Sequence, residues 1–230
     1  MHMTRRILHV VSNVDRYAQF DRPTGLWLSE LSHAYDIFAA QGYEQRIVSP
    51  KGGVSPLEPL SLKWTNADAS VRRWLNDSAL MDLLSYTASP NDIDAKDFDA
   101  IYFTGGHAVM YDYPDDEGLQ RLTREIYEAG GVVATVCHGY CGLLNTRLSD
   151  GSLLVKGKRL TGFSWMEEVL AGAAKHVPYN VEAEIKLRGA LYEKALLPFL
   201  PKAVVDGRLI SGQNPQSAKL TAKKVVDLLT

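Results

Sequence analysis

The stretch Val132-Val133-Ala134-Thr135-Val136-Cys137-His138-Gly139 decides the fold of this chain. Its first five residues are apolar or β-branched, which predicts a strand buried on both faces of a sheet. The strand stops at a cysteine that is followed by a histidine and a glycine. A small residue two positions before a nucleophile, with a glycine two positions after it, is typical of the sharp strand-to-helix turn called a nucleophile elbow. We therefore expect Cys137 to project over the carboxyl end of a sheet.

Further strands are predicted on either side of this stretch. Short apolar runs at residues 7–11, 46–49 and 99–103 predict strands, and apolar residues at helical spacing over residues 26–41 predict a helix between the first two. A strand–helix–strand order with short connections is typical of a parallel sheet. Residues 203–211 predict a hairpin with an Asp-Gly turn. The predicted fold class is α/β, a three-layer sandwich with a mostly parallel central sheet.

The chain is 230 residues long, which suits one domain, and we expect residues 1–230 to form a single one. Residues 54–96 are less regular and are rich in proline, serine, aspartate and asparagine, with one helix predicted over residues 69–85. Trp64 and Trp74 favour packing on the domain over a free linker. We therefore expect this segment to be a small cap or insert.

Composition and charge exclude several classes of protein. The net charge of −2 gives no support for binding nucleic acid or an anionic membrane. No apolar run approaches the roughly 18 residues that a membrane helix needs, and the run after Arg5 and Arg6, about five residues, is too short for a signal peptide. Two cysteines do not make a disulfide framework. We expect a cytoplasmic protein with no nucleic-acid or membrane partner.

Motifs for metals and nucleotide cofactors are missing from the sequence. It has neither His-x-x-x-His nor Cys-x-x-Cys spacing, and neither Gly-x-Gly-x-x-Gly nor the phosphate-loop pattern. The histidines at His2, His9, His33 and His176 are scattered along the chain. We therefore predict no metal site and no cofactor.

Cys137 is the strongest candidate for a reactive group. A free cysteine is most often a small core residue, but the elbow and the adjacent His138 favour a nucleophile here. A helix beginning beside the sulfur would stabilise the thiolate, so position alone is expected to activate Cys137. Cys141 lies four residues later, and we favour a core residue there, with a resolving thiol as the alternative.

A second loop, Thr104-Gly105-Gly106-His107, follows the predicted strand at residues 99–103. Loops that follow parallel strands lie at the same end of the sheet, so this loop is expected beside the elbow. The Gly106 and His138 N–H groups would together stabilise an oxyanion, and Gly105 would allow close approach of a ligand. A plain glycine-rich turn is the alternative. His107 either faces the site or caps the loop.

Taken together, these two motifs resemble the ThiJ/PfpI superfamily, which has the flavodoxin-like, class I glutamine amidotransferase-like fold. The Cys-His-Gly elbow and the Thr-Gly-Gly-His loop carry the resemblance. Residues 23–30, Pro-Thr-Gly-Leu-Trp-Leu-Ser-Glu, resemble the start of the first helix in the heat-shock-31-like branch, known as glutathione-independent glyoxalase III. The resemblance extends over essentially the whole chain. Ala108 and the Tyr140-Cys141 pair depart from the residues common in that branch.

The resemblance implies a catalytic Cys-His-Glu arrangement. Cys137 matches the nucleophile and His138 the adjacent histidine, while Glu30 matches a carboxyl group that hydrogen-bonds the sulfur. Glu168 is the better match to the triad acid, and Glu167 is a close rival. A carboxyl near a thiolate tends to hold its proton, so it would donate a hydrogen bond and move protons at a substrate.

The function that the resemblance implies is conversion of methylglyoxal and related 2-oxoaldehydes into 2-hydroxy acids without glutathione. A small-molecule dicarbonyl would be the substrate, and the family is often homodimeric. One alternative is a stress-response chaperone, protein deglycase or redox sensor, in which Cys137 oxidises to a sulfinic acid. Another cysteine-dependent hydrolase or hydratase is a third class, because fold does not fix function.

Overall fold

The computed structural model describes residues 4–230, so Met1, His2 and Met3 lie outside the described residues. The six strands of the central sheet are β1 (Arg6–Val10), β2 (Glu44–Val48), β3 (Ala100–Phe103), β4 (Val132–Val136), β7 (Ala203–Asp206) and β8 (Leu209–Gly212). Their order across the sheet is β2-β1-β3-β4-β8-β7. Every neighbouring pair is parallel except β7 and β8, which form the predicted antiparallel hairpin. The predicted α/β fold with a mostly parallel sheet is confirmed.

Helices cover both faces of this sheet. They are α1 (Leu28–Ala40), α2 (Ala69–Asn76), α3 (Ser78–Ser85), α4 (Val109–Asp112), α5 (Glu117–Glu128), α6 (Trp165–Leu170), α7 (Val181–Leu187) and α8 (Ala218–Leu229). Strands β5 (Arg159–Leu160) and β6 (Leu191–Tyr192) form a separate small parallel sheet, which the sequence pattern did not predict. No helix among residues 4–230 is long and apolar enough to cross a membrane.

The sheet divides the core into two layers because successive side chains of a strand point to opposite faces. On β4, Val132 and Ala134 pack with Phe38 of α1 and Val225 of α8. Val133, between them, packs on the opposite face with Leu122 and other residues of α5. β4 is buried on both faces, which is why its sequence is uninterruptedly apolar or β-branched.

The segment 54–96 packs mainly on the outer side of α1. Val71 and Trp74 of α2 are fully buried against Leu28 and Leu31 of α1. Trp64, in contrast, is 87% exposed, so the expectation that it packs on the domain is wrong. The single helix predicted over residues 69–85 is also wrong, because the backbone of Asp77 is extended (φ −109°, ψ 105°) and its side chain accepts hydrogen bonds from Ala79 and Leu80 N–H. Asp77 therefore ends α2 and begins α3.

Candidate active site

Cys137 occupies the predicted elbow. It follows β4 directly, begins a 3₁₀ helix over Cys137–Leu143, and has φ +55°, a left-handed conformation that costs a non-glycine residue about 1–3 kcal/mol. Gly139 makes the turn possible, since a Cβ there would lie 2.4 Å from the Phe103 carbonyl oxygen. Strain of this kind persists where the surrounding structure holds it, and it is concentrated at functional sites.

A hydrogen-bonded chain runs from the Cys137 sulfur to a carboxylate. The Sγ atom lies 3.4 Å from His138 Nδ1, and His138 Nε2 lies 2.7 Å from Glu168 Oε2. All three side chains are buried. Burial acts to raise the pKa of Glu168, but the neighbouring imidazoles of His138 and His107 outweigh it and hold that pKa well below its usual range. Glu168 is therefore a carboxylate that orients His138.

Glu167, the rival for that position, has a structural role. One of its oxygens accepts hydrogen bonds from Ser164 N–H and Oγ at the start of α6, in a capping box. The other accepts from Phe199 N–H and Asn214 Nδ2 at 2.8 and 2.9 Å. With four donors on its two oxygens, Glu167 holds the loop that bears Phe199.

Glu30 lies in the first turn of α1 and is completely buried beside the Cys137 thiol. Its Oε2 accepts a 2.7 Å hydrogen bond from Gly105 N–H, and its Oε1 has no hydrogen-bond partner within residues 4–230. Burial raises the pKa of Glu30 to about 8, despite the opposing hydrogen bonds from Gly105 and Cys137. The carboxyl therefore keeps its proton at neutral pH and can exchange it.

The electrostatic environment of Cys137 differs from the expectation. Burial first, and then the Glu30 carboxyl, raise the pKa of the thiol well above its usual value, while the His138 N–H lowers it only partly. The prediction that position alone would produce a thiolate is therefore wrong, because desolvation outweighs one N–H at the start of a short 3₁₀ helix. Ionisation of this thiol requires a partner that takes the proton, and His138 Nδ1 is in reach.

The two glycines of the loop after β3 have different tasks. Gly105 N–H donates to Glu30 Oε2 and so anchors that carboxyl. Gly106 has φ +104°, and a Cβ there would lie 2.2 Å from Gly25 carbonyl oxygen, so only glycine fits. Within residues 4–230 the Gly106 N–H has no hydrogen-bond partner. It is available for an oxyanion, together with the His138 N–H that faces the sulfur.

His107 faces the site, which answers the question that the sequence left open. Its Nε2 lies 2.8 Å from Glu168 Oε1, and its Nδ1 is hydrogen-bonded to Tyr17 OH. Both ring nitrogens therefore have protein partners, and through Nε2 His107 positions Glu168. Tyr17 was missed by sequence reasoning, because it is separated from His107 by 90 positions and belongs to no motif.

A cavity of about 170 Å³ opens over the sulfur. Its wall combines aromatic and aliphatic side chains with a few polar ones, the usual composition of a small-molecule site. Besides Gly106, His107, Cys137 and His138, the lining residues are Trp27, Glu58, Leu60, Asn66, Phe163, Phe199, Pro215 and Gln216. Phe199 has φ +63°, and with Cys137 it is one of two non-glycine residues of the described chain with positive φ.

His107, His138 and Glu168 also have the composition of a metal site, with ligand atoms within 4.8 Å of one another. These atoms already bond to each other, because each imidazole Nε2 contacts one oxygen of Glu168. A metal ion would have to displace both N–H protons.

Cys141, the other cysteine, is fully buried in the opposite core layer among Tyr140 and Tyr113, as expected for a core residue.

Known proteins resemble this chain over nearly its full length. The DJ-1/PfpI family matches residues 24–228. The chain is 32% identical to the glutathione-independent glyoxalase HSP31 of Saccharomyces cerevisiae over 97% of each chain, and 30% identical to glyoxalase 3 of Candida albicans over 97% of this chain and 98% of that one.

Solved structures agree with these sequence comparisons. The Rapid Encystment Protein 24 kDa of Francisella tularensis has a TM-score of 0.94 and 32% identity, covering 99% of this chain and 100% of its own. Glyoxalase III of Candida albicans has a TM-score of 0.89 and 27% identity over 97% of both chains. The matched region contains both the elbow and the loop after β3. The chain therefore belongs to the DJ-1/PfpI family.

Proposed function

We propose that this protein is a glutathione-independent glyoxalase that converts methylglyoxal and related 2-oxoaldehydes into 2-hydroxy acids. The observation that carries the proposal is the pair formed by Cys137 and Glu30. A buried thiol lies against a buried carboxyl whose pKa is raised to about 8, at the end of a cavity. This pair supplies a nucleophile and a proton carrier at one point. A relative named glutathione-independent glyoxalase and another named glyoxalase 3 support the same activity.

The first step is addition of Cys137 to the aldehyde carbon. The thiol proton moves to His138 Nδ1, 3.4 Å away, as the sulfur attacks. The carbonyl oxygen becomes an oxyanion and is held by the Gly106 and His138 N–H groups. It then takes the proton of the Glu30 carboxyl to give a hemithioacetal, which leaves Glu30 ionised. Glu168, ionised and 2.7 Å from His138 Nε2, stabilises the imidazolium that forms.

The second step moves a proton between the two carbons. Ionised Glu30 removes the proton from the former aldehyde carbon while the His138 imidazolium gives its proton to the neighbouring ketone oxygen, so that an enediol forms. Protonated Glu30 then returns its proton to the former ketone carbon, and His138 takes the hydroxyl proton from the sulfur-bearing carbon as that carbon becomes the thioester carbonyl. A carboxyl with a pKa near neutrality suits both halves of this exchange. The product is a thioester of Cys137 with the 2-hydroxy acid. Water then cleaves the C–S bond, which releases the acid and restores the thiol, so that methylglyoxal and one water become lactate.

The test is lactate formation from methylglyoxal without glutathione, using Cys137→Ala and Glu30→Gln. Both substitutions should abolish turnover. Cys141→Ala is the matched control, because it removes a buried sulfur from the same 3₁₀ helix on the opposite side of the sheet and should leave turnover near the parent level. Full activity of Cys137→Ala, or no lactate from the parent protein, would contradict the proposal.

We further propose a homodimer, formed through the segment between β6 and β7. Leu196 is 95% exposed there, and Leu197 and Leu200 are exposed beside it. Adjacent exposed leucines are typical of a surface that a partner covers. Light scattering on the purified protein tests this: a dimer that Leu196→Glu converts to a monomer is expected, and a monomeric parent would contradict it.

The proposed location is the cytoplasm, and the proposed organisation is one domain with residues 54–96 as a cap. Two free cysteines, one of them the proposed nucleophile, suit a reducing compartment. The burial of Val71 and Trp74 against α1 supports a segment that folds with the domain. Cell fractionation and a single cooperative unfolding transition are the measurements that test these two proposals.

A further inference from the structure

Both oxygens of Glu168 are held by histidines. Oε2 contacts His138 Nε2 at 2.7 Å, and Oε1 contacts His107 Nε2 at 2.8 Å. The two imidazole rings lie edge to face with centroids 4.7 Å apart. His107 is held in turn by Tyr17, whose hydroxyl contacts Nδ1 and whose side chain is buried. The Cys-His-Glu chain therefore continues through His107 to Tyr17.

The directions of these hydrogen bonds follow from the groups at the two ends. An ionised carboxylate only accepts, so each imidazole Nε2 that contacts Glu168 carries a hydrogen. In a neutral imidazole the Nδ1 is then an acceptor. Burial, the largest effect, raises the pKa of Tyr17, so its hydroxyl stays protonated and donates a hydrogen bond to His107 Nδ1. By the same rule His138 Nδ1 is left as an acceptor facing the Cys137 sulfur.

We propose that Tyr17 and His107 are a positioning pair, which fixes the second oxygen of Glu168 and so keeps the unprotonated nitrogen of His138 on the Cys137 thiol. The inference deepens the proposed function and rests on it for the role of Cys137 as nucleophile. Tyr17 and His107 make their hydrogen bonds to each other and to Glu168, not to the Cys137 sulfur. They act through Glu168, whose carboxylate would otherwise be free to turn about its terminal torsion with one partner only.

The pair links the site to the loop before α1. Residues 15–24 form a small hairpin, with a bridge between Arg16 and Pro23 and backbone hydrogen bonds from Tyr17 N–H to Arg22 and from Thr24 N–H to Asp15. Tyr17 is the residue of this hairpin that reaches His107. Orientation of the catalytic base thus depends on a loop that supplies no reacting group.

The experiment measures the rate of Cys137 alkylation by iodoacetamide against pH, which requires no substrate. The variants are Tyr17→Phe, His107→Leu and His107→Gln. Tyr111→Phe is the matched control, because Tyr111 OH binds Gln19 of the same hairpin and has no contact with His107 or Glu168 through its hydroxyl. Mass spectrometry confirms that the alkylated residue is Cys137.

Removal of His107, the second hydrogen-bond partner of Glu168, should slow alkylation of Cys137 and change its pH profile. His107→Leu is expected to lose about tenfold at neutral pH, the effect of one hydrogen bond to a charged group. His107 also lowers the pKa values of Glu168 and His138, so without it both rise, and the acidic limb of the profile moves to higher pH. His107→Gln, which can still donate to Glu168, should retain more of the rate than His107→Leu, and Tyr111→Phe should match the parent.

Nitrogen NMR of the histidine side chains reads the tautomers directly. In the parent and in Tyr17→Phe, His107 should be protonated at Nε2 because the Glu168 carboxylate accepts from it, and Tyr17→Phe should slow alkylation about threefold, less than the loss of a hydrogen bond to a charged group. Alkylation of Tyr17→Phe and His107→Gln at the parent rate, with an unchanged pH profile, would overturn the inference. If His107→Leu does not fold, these two variants decide the question. Absence of lactate formation by the parent, with the expected alkylation pattern, would contradict the glyoxalase proposal alone.

Discussion

Glu30→Gln should change the pH dependence of stability as well as activity. The parent carboxyl is fully buried and its pKa is raised to about 8 from an ordinary value of 4.5. The folded protein holds this proton more tightly than the unfolded chain does, so it becomes less stable relative to the unfolded chain at any pH where the unfolded carboxyl is ionised. The free energy of unfolding is therefore highest, as far as this group is concerned, below pH 4.5, and it falls progressively as the pH rises toward 8. Glutamine has no such proton to lose.

The size of the effect follows from linkage. Each unit of pKa difference corresponds to about 1.4 kcal/mol. Between pH 5 and pH 7, the free energy of unfolding of the parent should therefore fall by about 2.5 kcal/mol relative to that of Glu30→Gln. Any constant cost of the buried amide cancels in this comparison between two pH values.

Urea unfolding of both proteins at pH 5, 6, 7 and 8 measures this difference. Glu44→Gln is the matched control, since Glu44 is an exposed carboxyl that pairs with Arg6 on the surface and should change little. Lactate formation by Glu30→Gln should fall by at least about 100-fold, the scale of general acid–base catalysis. A free-energy difference between parent and Glu30→Gln that stays constant from pH 5 to pH 8 would refute the raised pKa.

Three further substitutions test the scaffold of the site. Gly139→Ala should destabilise by about 1–3 kcal/mol in urea unfolding, because its Cβ meets the Phe103 carbonyl, and unchanged stability would contradict the close approach. Trp74→Ala should cost about 3–5 kcal/mol, since Trp74 is fully buried against α1, and a loss below about 1 kcal/mol would contradict that packing. Glu167→Gln weakens the hydrogen bond that positions the Phe199 backbone, so the KM for methylglyoxal should rise several-fold. A fall in kcat alone would instead assign Glu167 to the chemistry.

The features that the sequence predicted are those with local signals. The elbow at Cys137 combines a strand pattern with a glycine two positions later, and both belong to eight consecutive residues. The sequence also contains a local signal that separates Glu167 from Glu168. Ser164 and Glu167 have the Ser-x-x-Glu spacing of a capping box, which assigns Glu167 to the start of α6 and leaves Glu168 for the site.

The features that could not be predicted depend on tertiary contacts or on solvation. His107 meets Glu168 across 61 positions and Tyr17 across 90, so no spacing rule connects them. The break at Asp77 depends on a capping side chain that competes with a continuous helix pattern. The raised pKa of Cys137 is a consequence of burial, which sequence alone does not quantify.

Two carboxyl groups near one thiol acquire opposite properties from their surroundings. Glu30 lies in a desolvating environment that outweighs the hydrogen bonds from the Gly105 N–H and the Cys137 thiol, so its pKa rises to about 8. Glu168 is also buried, but two imidazoles contact its two oxygens and hold its pKa low. Carboxyl groups whose pKa values are pushed apart mark the acid–base roles of a site. Glu168 is therefore suited to a permanent charge and Glu30 to a mobile proton, and exchange of the two environments would reverse the two roles.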